Sequence, residues 1–410
     1  MNARQSRLAT FRAAIVTFAA TGLAACHDST KPDPAPTSAA IPVLGQGVAT
    51  DRYTAELSVR GNYAYTSTWG FRAGLRGNAV KIWNVAAGAP VLVDSLIIPS
   101  YAAGAPGVTT TGDVQVSDDG TLLGVATERF GGSFALYSLA DPVHPALISQ
   151  FHSADTEGGV HTAEIARVGG RLYAFLSVDV GEHGEPARLV VLDLHDPANP
   201  VQVLARIMGQ PFVHDVFVRN DLLFTALWDG GLSIWDINGT RGGTPANPVF
   251  ISNVQTTGGE VHNVWWFHDP ASGSKQYVFV GQEGISSLFS QTSGDIHVVD
   301  ISTVTAPREV AVYTIPGAGT HNFSVDEASG ILYAAYYNSG VRALDIRGDL
   351  GTCSGAARLA DGRCNLASRE VGHALETGNF IWGVQWVGNR VYASDMLHGI
   401  WALDITRLRR

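Results

Sequence analysis

Residues 213–254 read VHDVFVRNDLLFTALWDGGLSIWDINGTRGGTPANPVFISNV. The stretch divides into four short segments rich in apolar and β-branched residues. They are broken at Arg219-Asn220-Asp221, at Asp229-Gly230-Gly231, and between Asn238-Gly239-Thr240 and Asn247-Pro248. Asn, Asp, Gly and Pro supply the turn geometries that end a strand, so four strands are expected in about 42 residues. The same grammar recurs in both directions. Upstream stands VHTAEIARVGGRLYAFLSVD with RLVVLDLHDPANPVQVLARI; downstream stand VHNVWWFHDP, QYVFVGQ and GDIHVVDISTVTAPREVAVYTI. THNFSVDEASGILYAAYYNSGVRALDI and IWGVQWVGNRVYASDMLHGIWALDI follow, and two more divergent copies lead: AELSVRGNYAYTSTW with NAVKIWNVAAGAPVLVDSLII, and GDVQVSDDGTLLGVATE with SFALYSLADPVHPALISQF.

Aligning first segments places Tyr53, Gly112, His161, His214, His262, His321 and Trp382 at one position, spaced by 48 to 61 residues. A four-stranded unit of this length is a propeller blade, and seven copies predict an all-β, seven-bladed β-propeller of four-stranded antiparallel blades. The last copy ends at LDITRLRR without a fourth strand, while IPVLGQGVA (41–49) precedes the first copy and is similar to the fourth strands NPVQVLARI and NPVFISNV. An N-terminal strand completing the last blade would close the ring and remove its open edges. Residues 41–410 then form one domain.

The third-strand pattern Leu189-Val190-Val191-Leu192-Asp193-Leu194-His195-Asp196-Pro197-Ala198-Asn199-Pro200 resembles the LVIVD repeat of bacterial surface propellers. Further copies are Trp235-Asp236-Ile237, Val299-Asp300-Ile301, Leu344-Asp345-Ile346 and Leu403-Asp404-Ile405. The resemblance implies the blade and names no activity. The repeated Asp has its own physical reading: a carboxylate at a strand end accepts backbone N–H groups of the following turn.

The whole chain has 27 Lys plus Arg against 37 Asp plus Glu, a net charge of −10, and lacks the basic face that duplex nucleic acid requires. Hydrophobic residues at 45% and charged residues at 16% exclude a disordered chain. Residues 1–25 read as a targeting segment: Arg4, Arg7 and Arg12, then an apolar stretch from Ala13, then small residues. Leu23-Ala24-Ala25-Cys26 resembles the lipobox of bacterial lipoproteins, which implies cleavage before Cys26 and lipid on that residue. Losing the three arginines and no acid would take the charge to −13. Several acyl chains anchor stably. Position 27 is His, not Asp, which favours the outer membrane, at its periplasmic face or the cell surface. Residues 26–40 (CHDSTKPDPAPTSAA) read as a flexible tether. With Cys26 lipidated, Cys353 and Cys364 remain, inside a Gly- and Ala-rich insertion at about 347–367, and an oxidising compartment would pair them.

In a propeller the start of strand one and the end of strand two share a rim of the central channel. His161, His214, His262 and His321 would stand there on four successive blades, a set suited to Zn, Cu or Fe. The arrangement is similar in outline, as architecture only, to the iron site of carotenoid-cleavage oxygenases. Repetition of a structural residue is the competing reading. Second-strand ends add Glu128, Asp179, Asp229, Glu283 and Asn338, with Trp69, Trp228 and Tyr337 beside them, as candidate ligand-binding rim residues or as packing between blades. Glu56 and Glu164 lie three residues past the aligned position and would need partners if buried. Long loops at 70–78, 180–187 and 284–294 project from the same rim. No GxSxG, HExxH or phosphate-binding Gly-rich loop occurs. The sequence therefore favours a monomeric, envelope-anchored binding or scaffold lipoprotein that recognises a protein or glycan at the His-bearing rim. The alternative is a metal-dependent enzyme, an oxidoreductase, built on the four histidines.

Overall fold

The computed structural model describes residues 38–99 and 109–409. The expected signal segment, Cys26 and most of the tether lie outside these residues. Among them, helix is confined to two 3-10 turns, Gly355–Ala357 and Ala367–Arg369, both in or beside the Cys-bearing insertion. No described helix is long and apolar enough to cross a membrane.

Seven antiparallel sheets follow one another in chain order. Their inner strands are Tyr53–Arg60, Thr110–Val116, Val160–Val168, Asp215–Arg219, Val261–Trp266, Phe323–Asp326 and Ile381–Val387. The middle strands are apolar on both faces because each sheet packs against two neighbours. Seven buried clusters fill the seven interfaces, for example Phe134, Leu136, Ile165 and Leu176 between blades two and three. The last of them, Tyr392 and Ile400 against Val59 and Trp83, joins blade seven to blade one and closes the ring.

Closure follows the sequence expectation. Val43–Val48 pairs antiparallel with Gly399–Asp404, Val43 opposite Leu403 and Val48 opposite Gly399, as the outer strand of blade seven. The described chain begins earlier than the expected boundary at 41, since Ala39–Ala40 pairs parallel with Glu370–Ala374 on blade six. The Ser38 hydroxyl bonds Glu370 and His373 there. Sheet pairing therefore begins at Ala39, two residues before the expected domain boundary.

The repeated aspartates cap turns as expected. Asp236 accepts the N–H groups of Asn238, Gly239 and Arg241, and Asp193, Asp300, Asp345 and Asp404 each accept the N–H two residues on. Cys353 and Cys364 form a disulfide. The insertion it closes leaves blade six but lies on the outer edge of blade five, where Cys364–Asn365 pairs parallel with Arg308–Tyr313.

Candidate functional site

The inner strands bring their upper residues to the axis through β-bulges. In blades three, five and seven the pairing skips His161, His262 and Trp382, the extra residue of each bulge. Blades one and two place Ala55-Glu56 and Gly112-Asp113 opposite single residues of strand two. A bulge bends the strand and re-aims a side chain, and here the re-aimed positions ring the channel. This register corrects one alignment: Ala55, not Tyr53, is the equivalent of the histidines in blade one. The inner strand of blade three has two more residues between its histidine and the turn than that of blade one, so Tyr53 lies two residues higher, against Phe289 with ring centroids 4.9 Å apart. Gly112 is histidine-free for a steric reason, since a Cβ there would stand 2.5 Å from Glu128 Oε1 and from the His161 carbonyl.

His161, His214, His262 and His321 form a continuous arc with successive ring centroids 4.4, 4.1 and 4.2 Å apart, and Trp382 continues it 4.4 Å beyond His321. The Nε2 atoms of His161 and His214 are 3.0 Å apart. The carboxylate of Glu283 joins them: Oε2 is 3.4 Å from His262 Nε2 and 3.9 Å from His214 Nε2, and Oε1 is 4.0 Å from His321 Nε2. Tyr337 donates its hydroxyl to Glu283. Ligand atoms of His214, His262 and Glu283 all lie within 4.8 Å of one another.

Electrostatics divides the four imidazoles. Burial, reinforced by the neighbouring rings, holds His214 and His262 well below the ordinary imidazole range, and burial with His214 does the same to His321. Each ring leans on the backbone of the next blade, His262, His321 and Trp382 in turn, but too poorly aligned for its Nδ1 to make a hydrogen bond. For His161 burial also opposes the charge, yet Asp179 and Glu128, 3.7 and 3.6 Å from Nδ1, overcome it and lift the pKa to about 10. His161 is therefore a cation that donates its Nε2–H to His214 Nε2 at 3.0 Å, beside neutral His262 and His321 whose Nε2 atoms face Glu283. Burial raises Glu283 to about 7, against the Tyr337 hydrogen bond.

The other rim residues separate. Glu128 joins the site, accepting the Trp69 indole N–H at 3.0 Å, and Asp179 joins through His161. Trp228 stacks on His214 at 5.2 Å, and Tyr337 packs on Phe380 at 4.6 Å. Asp229 and Asn338 stay outside: Asp229 accepts the Glu260 N–H at 3.3 Å, and Asn338 bonds Thr292 and, at 3.0 Å, the Gly317 carbonyl. Both follow a residue with positive φ, Trp228 or Tyr337, which turns the chain from the axis. The sequence did not single out Phe289 or Phe380. A hairpin of Gly284–Ser287 and Gln291–Ser293 carries Phe289 across the mouth to Tyr53 and Phe380, so the histidines are covered and His214, His262 and His321 are under a tenth exposed.

Below the imidazoles the channel continues as a cavity of about 370 Å³ lined by Glu56, Asp113, Glu164 and Asp215. The polar residues that directly follow the histidines, Thr162, Asp215, Asn263 and Asn322, are thus channel wall.

The fold is a seven-bladed β-propeller, and two of its segments match the LVIVD repeat. The LVIVD repeat model matches residues 51–71 and 212–256, the second span covering the stretch that opens the sequence analysis. No curated protein matches the chain. Among solved structures, the crystal structure of Saccharomyces cerevisiae Sqt1 is similar at 11% identity and a TM-score of 0.55, over 90% of this chain and 86% of that one. At that identity the likeness concerns fold alone.

Proposed function

We propose that this propeller is an envelope-anchored binding protein that holds a transition-metal ion at the mouth of its channel. Nε2 of His214 and His262 and the carboxylate of Glu283 are the ligands, with His321 adjoining. The convergence of these three groups carries the reading. Two imidazoles and a carboxylate suit Zn or Fe and leave coordination positions open to a substrate, as the oxidoreductase alternative needs. His161, held as a cation, is a neighbour of the site, not a ligand, and its N–H must leave His214 Nε2 for the ion to bind there. Metal analysis of tag-free protein should find one ion per chain, and His262→Ala and Glu283→Gln should each abolish it. Saturating metal at about 100 times Kd should add about 2.7 kcal/mol of stability. Protein without stoichiometric metal, whose melting Zn, Cu and Fe leave unchanged, would overturn the reading.

A second reading, recognition of a protein partner by the same face, is favoured by the long loops. Phe71, Leu75, Val180, Ile285 and Leu288 are exposed on three of them, and large apolar side chains on a rigid rim suit docking. Attachment through lipid on Cys26 is part of the proposal, and the disulfide supports a compartment outside the cytoplasm. Metabolic palmitate labelling that persists in Cys26→Ala would remove the anchor.

A further inference from the structure

We propose that the channel below the imidazoles is a binding site for a small organic ammonium ion. Four carboxylates line it on blades one to four: Glu56, Asp113 and Asp215 directly after the position of the histidines, and Glu164 two residues below that level. No Lys or Arg is among the lining residues. The His161 cation lines the same cavity but already faces Glu128 and Asp179, so the four carboxylates below it exceed the positive charge present and are costly unless protonated or neutralised by a ligand.

The fold does not require the charge. Thr162 fills the same position in blade three and clamps the next blade by donating to the His214 carbonyl at 3.1 Å, while Asn263, Asn322 and Gly383 fill it in blades five to seven. The acids also keep acceptor capacity. Asp215 accepts Val216 N–H at 2.8 Å and Glu164 accepts the Gln115 amide at 2.9 Å; a carboxylate has about four lone-pair sites. A second observation points to a ligand. His321, 4% exposed, aims Nδ1 at Glu56 Oε1 across 3.4 Å without a hydrogen-bond partner, and a ligand N–H donated to Glu56 would enter that gap.

The occupant is not a second metal ion. Among the described residues, His214, His262 and Glu283 are the group whose ligand atoms close to metal-binding distances, and the channel acids do not. Carboxylates spread around a cavity of about 370 Å³ need a ligand with several N–H donors on a carbon skeleton. Phe217 and Trp265, ring centroids 5.5 Å apart, and Trp382 offer aromatic faces in the same wall, which attract ammonium groups and pack methylenes.

The test is calorimetric titration of 1,4-diaminobutane into metal-stripped protein, with 1,4-butanediol and Ca²⁺ as parallel arms. Stripping the metal separates this outcome from that of the site above. Saturable binding of the diamine and none of the diol is expected, with Glu164→Gln and Asp215→Asn each weakening it about tenfold through loss of a charge-assisted bond. The absence of saturable diamine binding to the wild type would overturn the proposal. So would affinity unchanged in whichever variants keep the wild-type melting curve, or Ca²⁺ binding that the diamine fails to displace.

Discussion

Glu309 shows how one carboxylate fastens an insertion to the ring. It lies on the outer strand of blade five and is 9% exposed. It bonds His297 Nδ1 at 2.6 Å, the Thr257 N–H at 2.9 Å, and the guanidinium of Arg363 from the disulfide-closed loop. Burial alone would raise its pKa, but His297 and Arg363 overcome this and hold it at about 2, against an ordinary 4.5. A folded-state pKa below the unfolded one gives stability that is fully present above pH 4.5 and is lost as pH falls toward 2, up to about 3 kcal/mol. The difference in urea midpoint between wild type and Glu309→Gln should therefore be largest at pH 7 and narrow by about half or more at pH 3; a constant difference would remove Glu309 as the cause. The histidines show what residue types alone could not tell. Four equal letters at one repeat position were legible as a converging set. That His161 is charged and the other three are neutral was not, because the charge is set by Glu128 of the preceding blade and by Asp179, whose separation from His161 only the fold determines.

At the scale of strands, periodicity and turn residues were enough to read every blade and the closing strand, since each strand is apolar where two neighbouring sheets cover it. What escaped were departures from the two-residue period. Unequal lengths of the inner strands shifted the alignment of blade one by two residues, bulges hid which residues turn to the axis, and Ala39–Ala40 pairs with blade six through backbone alone, with no side-chain pattern to announce it. The closing strand carries a sharper constraint. Gly47 lies over the buried Trp83 of blade one, where an added Cβ would meet Cε3 and Cζ3 at 2.7 Å and Ile400 Cγ2 at 3.0 Å. Trp83 is held by its indole bond to Thr66 at 2.9 Å and cannot withdraw cheaply. Gly47→Val should therefore overpack the junction of blades seven and one and cost about 1–3 kcal/mol, read as a lower denaturant midpoint, whereas Val43→Thr, at an exposed position on the same strand, should cost little.

A closed ring has no first blade, so where the chain enters it should matter less than that the last pair of strands is present. Asp404 donates its N–H to the Pro42 carbonyl at 2.8 Å, and Ile41 and Leu408 both pack on Gly372. The end of the third strand of blade seven and the start of its fourth are therefore adjacent, as they are in blades whose two strands are joined by a turn. Moving residues 38–49 to follow Arg410 through a short Gly-containing linker would turn this non-local pairing into an ordinary hairpin. The permuted chain keeps all seven interfaces and should melt within a few degrees of the wild type. Deleting residues 38–49 leaves the same covalent order elsewhere but exposes Gly399–Asp404 as an unpaired edge, so that chain should melt lower and associate with rising concentration in light scattering. A permutant as unstable as the deletion would show that the segment acts through its covalent position and not as the seventh blade's outer strand.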